Sequence, residues 1–288
     1  MTPPTIPQQQ EFIDALEHEL RAGSGFARIH AAEALVEHGY GFKASEQLQA
    51  DADTTVPGYR VGVWRVLARC AKDEREREQF VERIRNVMLD SAAPDRLGAA
   101  ESLDKIGRVN RADRPAIEQW LRSADDATAA FPLWFLVLSG DANDTNHGNH
   151  SSERARDEAR LARLLESNDA MARLRAGFAL GRLARIPAEF IEELNRRVRE
   201  EPADSRARVY LLAASLLHAP RGSAAATEFR KELLSIIESG DAKDQLEAAT
   251  VIGMRGSPED LPALLRLLKS RDADARIGAA SAALYLAQ

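Results

Sequence analysis

Apolar positions along this chain recur in short helical windows, and the windows themselves recur. In SRDADARIGAASAALYLAQ, Ser270 to Gln288, an arginine is followed by an aliphatic residue and then by alanines and leucines at helical spacing. The stretch SNDAMARLRAGFALGRLAR, from Ser167, has the same order 103 positions earlier. With Arg276 as reference, the equivalent positions are Arg28, Arg60, Arg96, Ala129, Arg173, Arg208 and Gln245, at intervals of 32, 36, 33, 44, 35, 37 and 31 residues. The next residue is usually aliphatic, as in Ile29, Val61, Leu97, Leu174, Val209, Leu246 and Ile277. Small residues follow at offsets three and four (Ala31 and Ala32, Ala99 and Ala100, Ala248 and Ala249), and an apolar residue at seven. Offsets of one, four and seven share one face of an α-helix, and self-similarity at a fixed period marks a repeat architecture.

A second helix is predicted between anchors, over Glu74–Leu89, Pro115–Arg122, Arg154–Glu166, Ala188–Glu200, Ala225–Glu238 and Pro258–Lys269. Several of these begin with proline or an acidic residue, which suit a helix N-terminus. Two antiparallel helices per unit cannot bury their apolar faces alone, so neighbours must stack. The expected fold is all-α, a right-handed α-solenoid of about eight helical hairpins. It forms a single domain over residues 11–288, after a disordered lead at 1–10 and with a loop insertion at 139–152. Pro132, within AAFPLWFLVL, is expected to start or kink its helix.

These units resemble HEAT repeats, and LLKSRDADARIGAASAALYLA resembles the subclass known as phycobilisome-lyase HEAT-like repeats. The resemblance implies an armadillo-like scaffold that binds a protein or peptide without catalysis, in a groove lined mainly by the second helices. HEAT-like alkylpurine DNA glycosylases and a chromophore-lyase role are the alternatives it offers. It also implies a structural ladder of Asp125, Asp169, Asp204, Asp241 and Asp272 with Arg173, Arg208 and Arg276. Chemistry needs one unique arrangement, so a pair repeated this often reads as structure, with aspartate capping a helix start and arginine bridging units. Arg28, Arg60 and Arg96 lack the matching aspartate, since Ser24, Val56 and Ala92 stand there. They need other acceptors.

Glu33, Arg65 and Glu101 lie five residues after the first three anchors. Stacked helices sit about 8–10 Å apart, so these side chains of alternating sign are expected to bridge as a ladder. With His30, Tyr59 and Trp64 they form the candidate binding patch.

Composition narrows the rest. Net charge is −6 overall, −7 over residues 1–144 and +1 over 145–288, so the basic footprint of a nucleic-acid binder is missing. The lone Cys70 permits no internal disulfide and no paired-cysteine metal site, which fits a cytoplasmic setting. No apolar run suggests a membrane span. Asp141, Asp144, His147 and His150 are read as part of a solvated loop rather than a metal site. Phosphate-cradle, nucleophile-elbow and metalloprotease motifs are absent from the sequence, so neither catalytic residue nor cofactor nor metal is expected. The final anchor helix has no following helix to cover it. Ile277, Leu284 and Leu286 are therefore expected near an open edge, suited to self-association or partner docking.

Overall fold

The computed structural model describes residues 6–141 and 152–287, and among these every regular element is helical. In chain order they are α1 (Ile6–Ala22), α2 (Gly25–Glu37), α3 (Gly41–Leu48), α4 (Tyr59–Cys70), α5 (Glu74–Leu89), α6 (Arg96–Lys105), α7 (Arg114–Leu121) and α8 (Asp126–Asp141). The second half continues with α9 (Ser152–Arg163), α10 (Ala170–Arg182), α11 (Ala188–Glu200), α12 (Arg206–His218), α13 (Ala224–Ser239), α14 (Ala242–Arg255), α15 (Leu261–Leu267) and α16 (Ala273–Leu286). The even-numbered helices are the anchor helices.

Each anchor helix packs on the next, from α2 through α4, α6, α8, α10, α12 and α14 to α16, and α16 packs back on α2. The odd-numbered helices form an outer layer, with α1 lying against both α2 and α16. The solenoid is therefore a closed ring. Composition explains which layer is inside. Inner helices on a tighter circumference must approach closely, and their alanines and glycines allow it. A Cβ on Gly253 would stand 2.8 Å from the Cα of Ala282, and one on Gly181 would stand 3.1 Å from the Cα of Ala214. Outer helices such as EREREQFVERIRNVML bury only one stripe, Phe80, Val81, Ile84, Val87 and Met88, and turn their charges outward.

The seam joins residues about 250 positions apart. Arg276 Nε donates to Glu19 Oε1 at 2.7 Å, and His30 Nδ1 lies 2.9 Å from Asp274 Oδ1. His38 Nε2 is 3.1 Å from Ser281 Oγ, and the Tyr285 hydroxyl donates to Glu37 at 3.3 Å.

The repeat residues divide their work differently from a ladder of Asp–Arg pairs. Asp169, Asp241 and Asp272 accept backbone N–H groups as N-caps, and Asp125 accepts from the Thr128 N–H at 2.9 Å. Asp204 is exposed, and its neighbour Ser205 caps α12 instead. The anchor side chains satisfy carbonyls just before them. Arg28 donates to Leu20 O, Arg96 to Met88 O, Arg208 to Val198 O and Gln245 to Ile237 O, at the C-terminal ends of the preceding outer helices. Arg173 and Arg276 do the same for Ser167 O and Ser270 O. Their carboxylate partners lie elsewhere: Asp51 for Arg28, Asp95 for Arg60, Glu201 for Arg173 and Glu232 for Arg208. Arg96 instead sits 3.9 Å over the Trp120 ring.

Several expectations are corrected. The second helices are the outer wall, so they do not line the central space. The C-terminal helix is covered: Ile277 and Leu284 are 2% and 6% exposed and Leu286 is partly buried, because α1 and α2 pack on α16. The apolar surface that motivated self-association through this helix is thus filled from within the chain. Helix α1 begins at Ile6, inside the span read as a lead. Pro132 sits within α8, which starts six residues earlier at Asp126. Of the loop insertion, Asp144, His147 and His150 lie outside the described residues.

Candidate functional site

Closing the ring creates a central cavity of roughly 840 Å³, to which all eight inner helices contribute side chains. That volume falls within the range of small-molecule sites. Six carboxyl groups and six Lys or Arg side chains line it. Nominal charge therefore nearly cancels, and pairing decides the local chemistry.

On α2, α4 and α6 most charges are paired. Arg65, nearly buried, donates from Nε to Glu33 Oε1 at 2.6 Å and from Nη1 to Ser102 Oγ at 2.8 Å. Glu101 pairs with Lys105 at 2.8 Å. Burial alone would raise the Glu33 carboxyl, but Arg65, Lys105 and His30 together bring it down to about 2. Burial also opposes ionisation of Glu101, and Lys105 and Arg65 overcome it. Glu37 goes the other way, because burial outweighs Arg69 at 3.8 Å and Glu33 adds repulsion.

One turn beyond Glu101 lies Asp104. It is 4% exposed, and neither carboxyl oxygen has a hydrogen-bond partner. Burial, with the neighbouring Glu101 charge, pushes its carboxyl well above the usual range, so it keeps its proton to higher pH than an ordinary aspartate. On the next inner helix the Trp134 indole N–H is also buried and unpartnered. Across the cavity Glu247 has one bare oxygen, Oε1, while its other oxygen is 3.5 Å from Arg182. An aromatic cluster continues the wall, with Phe178 edge-on to Trp134 at 6.0 Å and 6.1 Å from Tyr210. Arg182 lies 3.3 Å over the Phe178 ring. Buried polar groups normally find partners, so a cluster of bare ones in a cavity wall points to a ligand.

Of the candidate binding residues, His30, Glu33, Arg65 and Glu101 line this cavity. Tyr59 and Trp64 do not. The Tyr59 hydroxyl donates to Asp51 at 2.9 Å, and the Trp64 indole N–H donates to Ala52 O at 2.7 Å. The expected three-membered ladder is made between Glu33 and Arg65. Glu101 turns to Lys105 and meets Arg65 through its field rather than a bond. Sequence reasoning missed Asp104, Trp134, Phe178, Arg182, Tyr210 and Glu247 as cavity residues. A signal existed at Asp104, which occupies the apolar register of Leu97 and Ala100, at offsets of seven and four. Among the described residues no cluster of His, Cys, Asp or Glu is arranged to hold a metal ion, and no helix is long and apolar enough to cross a membrane.

No family model matches the chain, and no curated protein matches it. A search of solved structures returns human deoxyhypusine hydroxylase in complex with glycerol, with a TM-score of 0.43 and 19% identity, covering 98% of this chain and 97% of that one. The architecture here is an all-helical solenoid of stacked helix pairs. At that distance the likeness transfers no activity and no residue role. The sequence favoured a non-catalytic scaffold and inclined against an enzyme; both readings are corrected, because the helices that were to line the scaffold's groove form the outer wall and the inner helices enclose a cavity walled by unpartnered polar groups.

Proposed function

We propose that this chain is an enzyme acting on a small molecule held in the central cavity, with Asp104 as its proton donor. The observation that carries the reading is the Asp104 carboxyl, buried in the cavity wall with both oxygens bare. Leaving such a group unpaired costs stability, about 1–3 kcal/mol. A site that tolerates that cost gains a carboxyl that keeps its proton to higher pH than a free aspartate, which suits general acid catalysis. The neighbouring carboxyls have separate roles. Glu33 stays ionised against Arg65 and fixes the wall electrostatically. Glu37, raised by burial, is a second group able to hold a proton. Trp134 offers an N–H donor to an oxygen on which charge develops. The phycobilisome-lyase-like assignment of the repeats and a cytoplasmic setting remain part of this proposal, on the closing segment and the lone Cys70.

The test is to incubate purified protein with a small-metabolite extract of the source organism and follow the mixture by mass spectrometry. The wild type should consume at least one component. Asp104→Asn, which keeps the shape but has no transferable proton, should consume it about 10²–10⁴-fold more slowly. An extract left unchanged by the wild type, or turned over equally by both proteins, removes the proposal.

A further inference from the structure

The bare atoms in the cavity wall specify a ligand class by their pairing. Asp104 offers two adjacent bare oxygens, in the acid form one acceptor and one O–H donor, while Glu247 adds the acceptor Oε1 and Trp134 the donor indole N–H. A complementary guest therefore carries an N–H and an acceptor side by side. A lone hydroxyl or water reaches one Asp104 oxygen; a fork of two adjacent nitrogens reaches both. We propose that the ligand is a planar nitrogen base, presenting to Asp104 an amidine-type edge, that is, an N–H beside a protonatable nitrogen. This rests on the small-molecule reading above and names the substrate class for that same cavity.

The edge matches the carboxyl in either protonation state. The neutral acid donates to the bare nitrogen and accepts from the adjacent N–H. After the proton moves from oxygen to nitrogen, the carboxylate accepts from two N–H groups of a cation, the bidentate geometry that makes such pairs strong. No atom or electron is left over. A carboxylate guest would face Glu101 and Glu247. An uncharged carboxamide fits the edge but cannot take the proton.

The wall already accommodates cations against an aromatic face, one of them planar. The Arg182 guanidinium lies 3.3 Å over Phe178, and the Lys105 ammonium is 5.1 Å from the same ring centroid. An amidinium is a guanidinium in shape, and Trp134 and Tyr210 extend the aromatic surface beside Phe178.

The experiment is calorimetric titration of the full-length chain with benzamidine, 2-aminopyridine and benzamide, the last being the neutral isostere of the first. Benzamidine and 2-aminopyridine should bind, and benzamide should bind at least tenfold more weakly. Asp104→Asn should weaken benzamidine at least tenfold. Benzamidine, already a cation, should release about one proton per site, read from titrations in two buffers of different ionisation enthalpy. 2-Aminopyridine, at a pH where it is neutral, takes that proton and should release none. In the wild type alone, benzamidine should shift the Trp134 indole N–H resonance, identified by its loss in Trp134→Phe. Equal binding of benzamide and benzamidine, or benzamidine binding indifferent to Asp104→Asn, would overturn the assignment. If benzamide or glycerol binds in an Asp104-dependent way while the bases do not, the ligand class is wrong and the enzyme reading survives. If the metabolite extract also passes unchanged, both fall.

Discussion

At the scale of single residues, the central fact is that two carboxyls of one cavity wall are pushed in opposite directions. Glu33 is tied to Arg65 and brought down to about 2, while Asp104, bare and buried, is raised well above the usual carboxyl range. The consequence for Asp104 can be measured without a substrate. Its folded-state pKa lies above its unfolded value, so the native state holds a proton that the unfolded chain releases. Its contribution to stability is full below the ordinary carboxyl range and is lost as pH rises. Asp104→Asn should remove that decline. Asp104→Leu should make the protein more stable at neutral pH by about 1–3 kcal/mol, since an unsatisfied buried polar group gives way to an apolar one. Urea unfolding at several pH values checks both, and a Leu variant less stable than the wild type at neutral pH would show that Asp104 is paired. The sequence made the Glu33–Arg65–Glu101 row legible because it recurs at one offset in three units. Asp104 recurs nowhere, and only its place in the apolar register of Leu97 and Ala100 sets it apart from a surface charge.

At the scale of elements, legibility followed apolar contrast. Helix α5, with charged and apolar residues sharply divided, has the bounds its sequence predicts, Glu74–Leu89, and so does α11 at Ala188–Glu200. Helices α1 and α3 were not foreseen. The first begins in the polar run IPQQQ, and the second is eight residues long with only Ala44 and Leu48 buried. The inner helices were found from their alanines, but their role as the cavity wall was not, because small residues signal close packing without saying on which side the curve closes. Close packing itself is testable at Gly253. In an unconstrained helix, Gly→Ala gains about 1 kcal/mol in propensity. Here the added Cβ would meet the Cα of Ala282 on α16 at 2.8 Å, a backbone atom that cannot swing away. Gly253→Ala should therefore destabilise, by about 1–3 kcal/mol as other overpacked sites do. Thermal unfolding reads the sign, and a gain would mean that α14 and α16 are not held at this distance.

At the scale of the whole molecule, a ring differs from an open solenoid in having no ends. Curvature accumulates from small rotations between neighbours, and no local sequence feature records the sum, so closure was the part of the architecture least accessible to sequence. The seam is made of ordinary residues, Glu19, His30 and Asp274 among them, whose partners lie on the far end of the chain. In an open array each repeat touches only its neighbours, and damage at one terminus stays there. In a closed one, opening the seam frees both termini together. Arg276→Glu sets two carboxylates against each other where Arg276 now meets Glu19 at 2.7 Å, with Glu19 only 7% exposed on its side chain. Hydrogen exchange should then quicken in α1 and α2 as well as in α14 and α16. Adding Glu19→Arg restores an opposite-charge pair, and should recover protection at both ends, with a coupling between the two substitutions of about 0.5–3 kcal/mol. Exchange confined to the C-terminal helices in Arg276→Glu, with no rescue by the second change, would mean that the two ends do not share a load. The inner helices would then border a groove rather than a cavity, and Asp104 would no longer face an enclosed site.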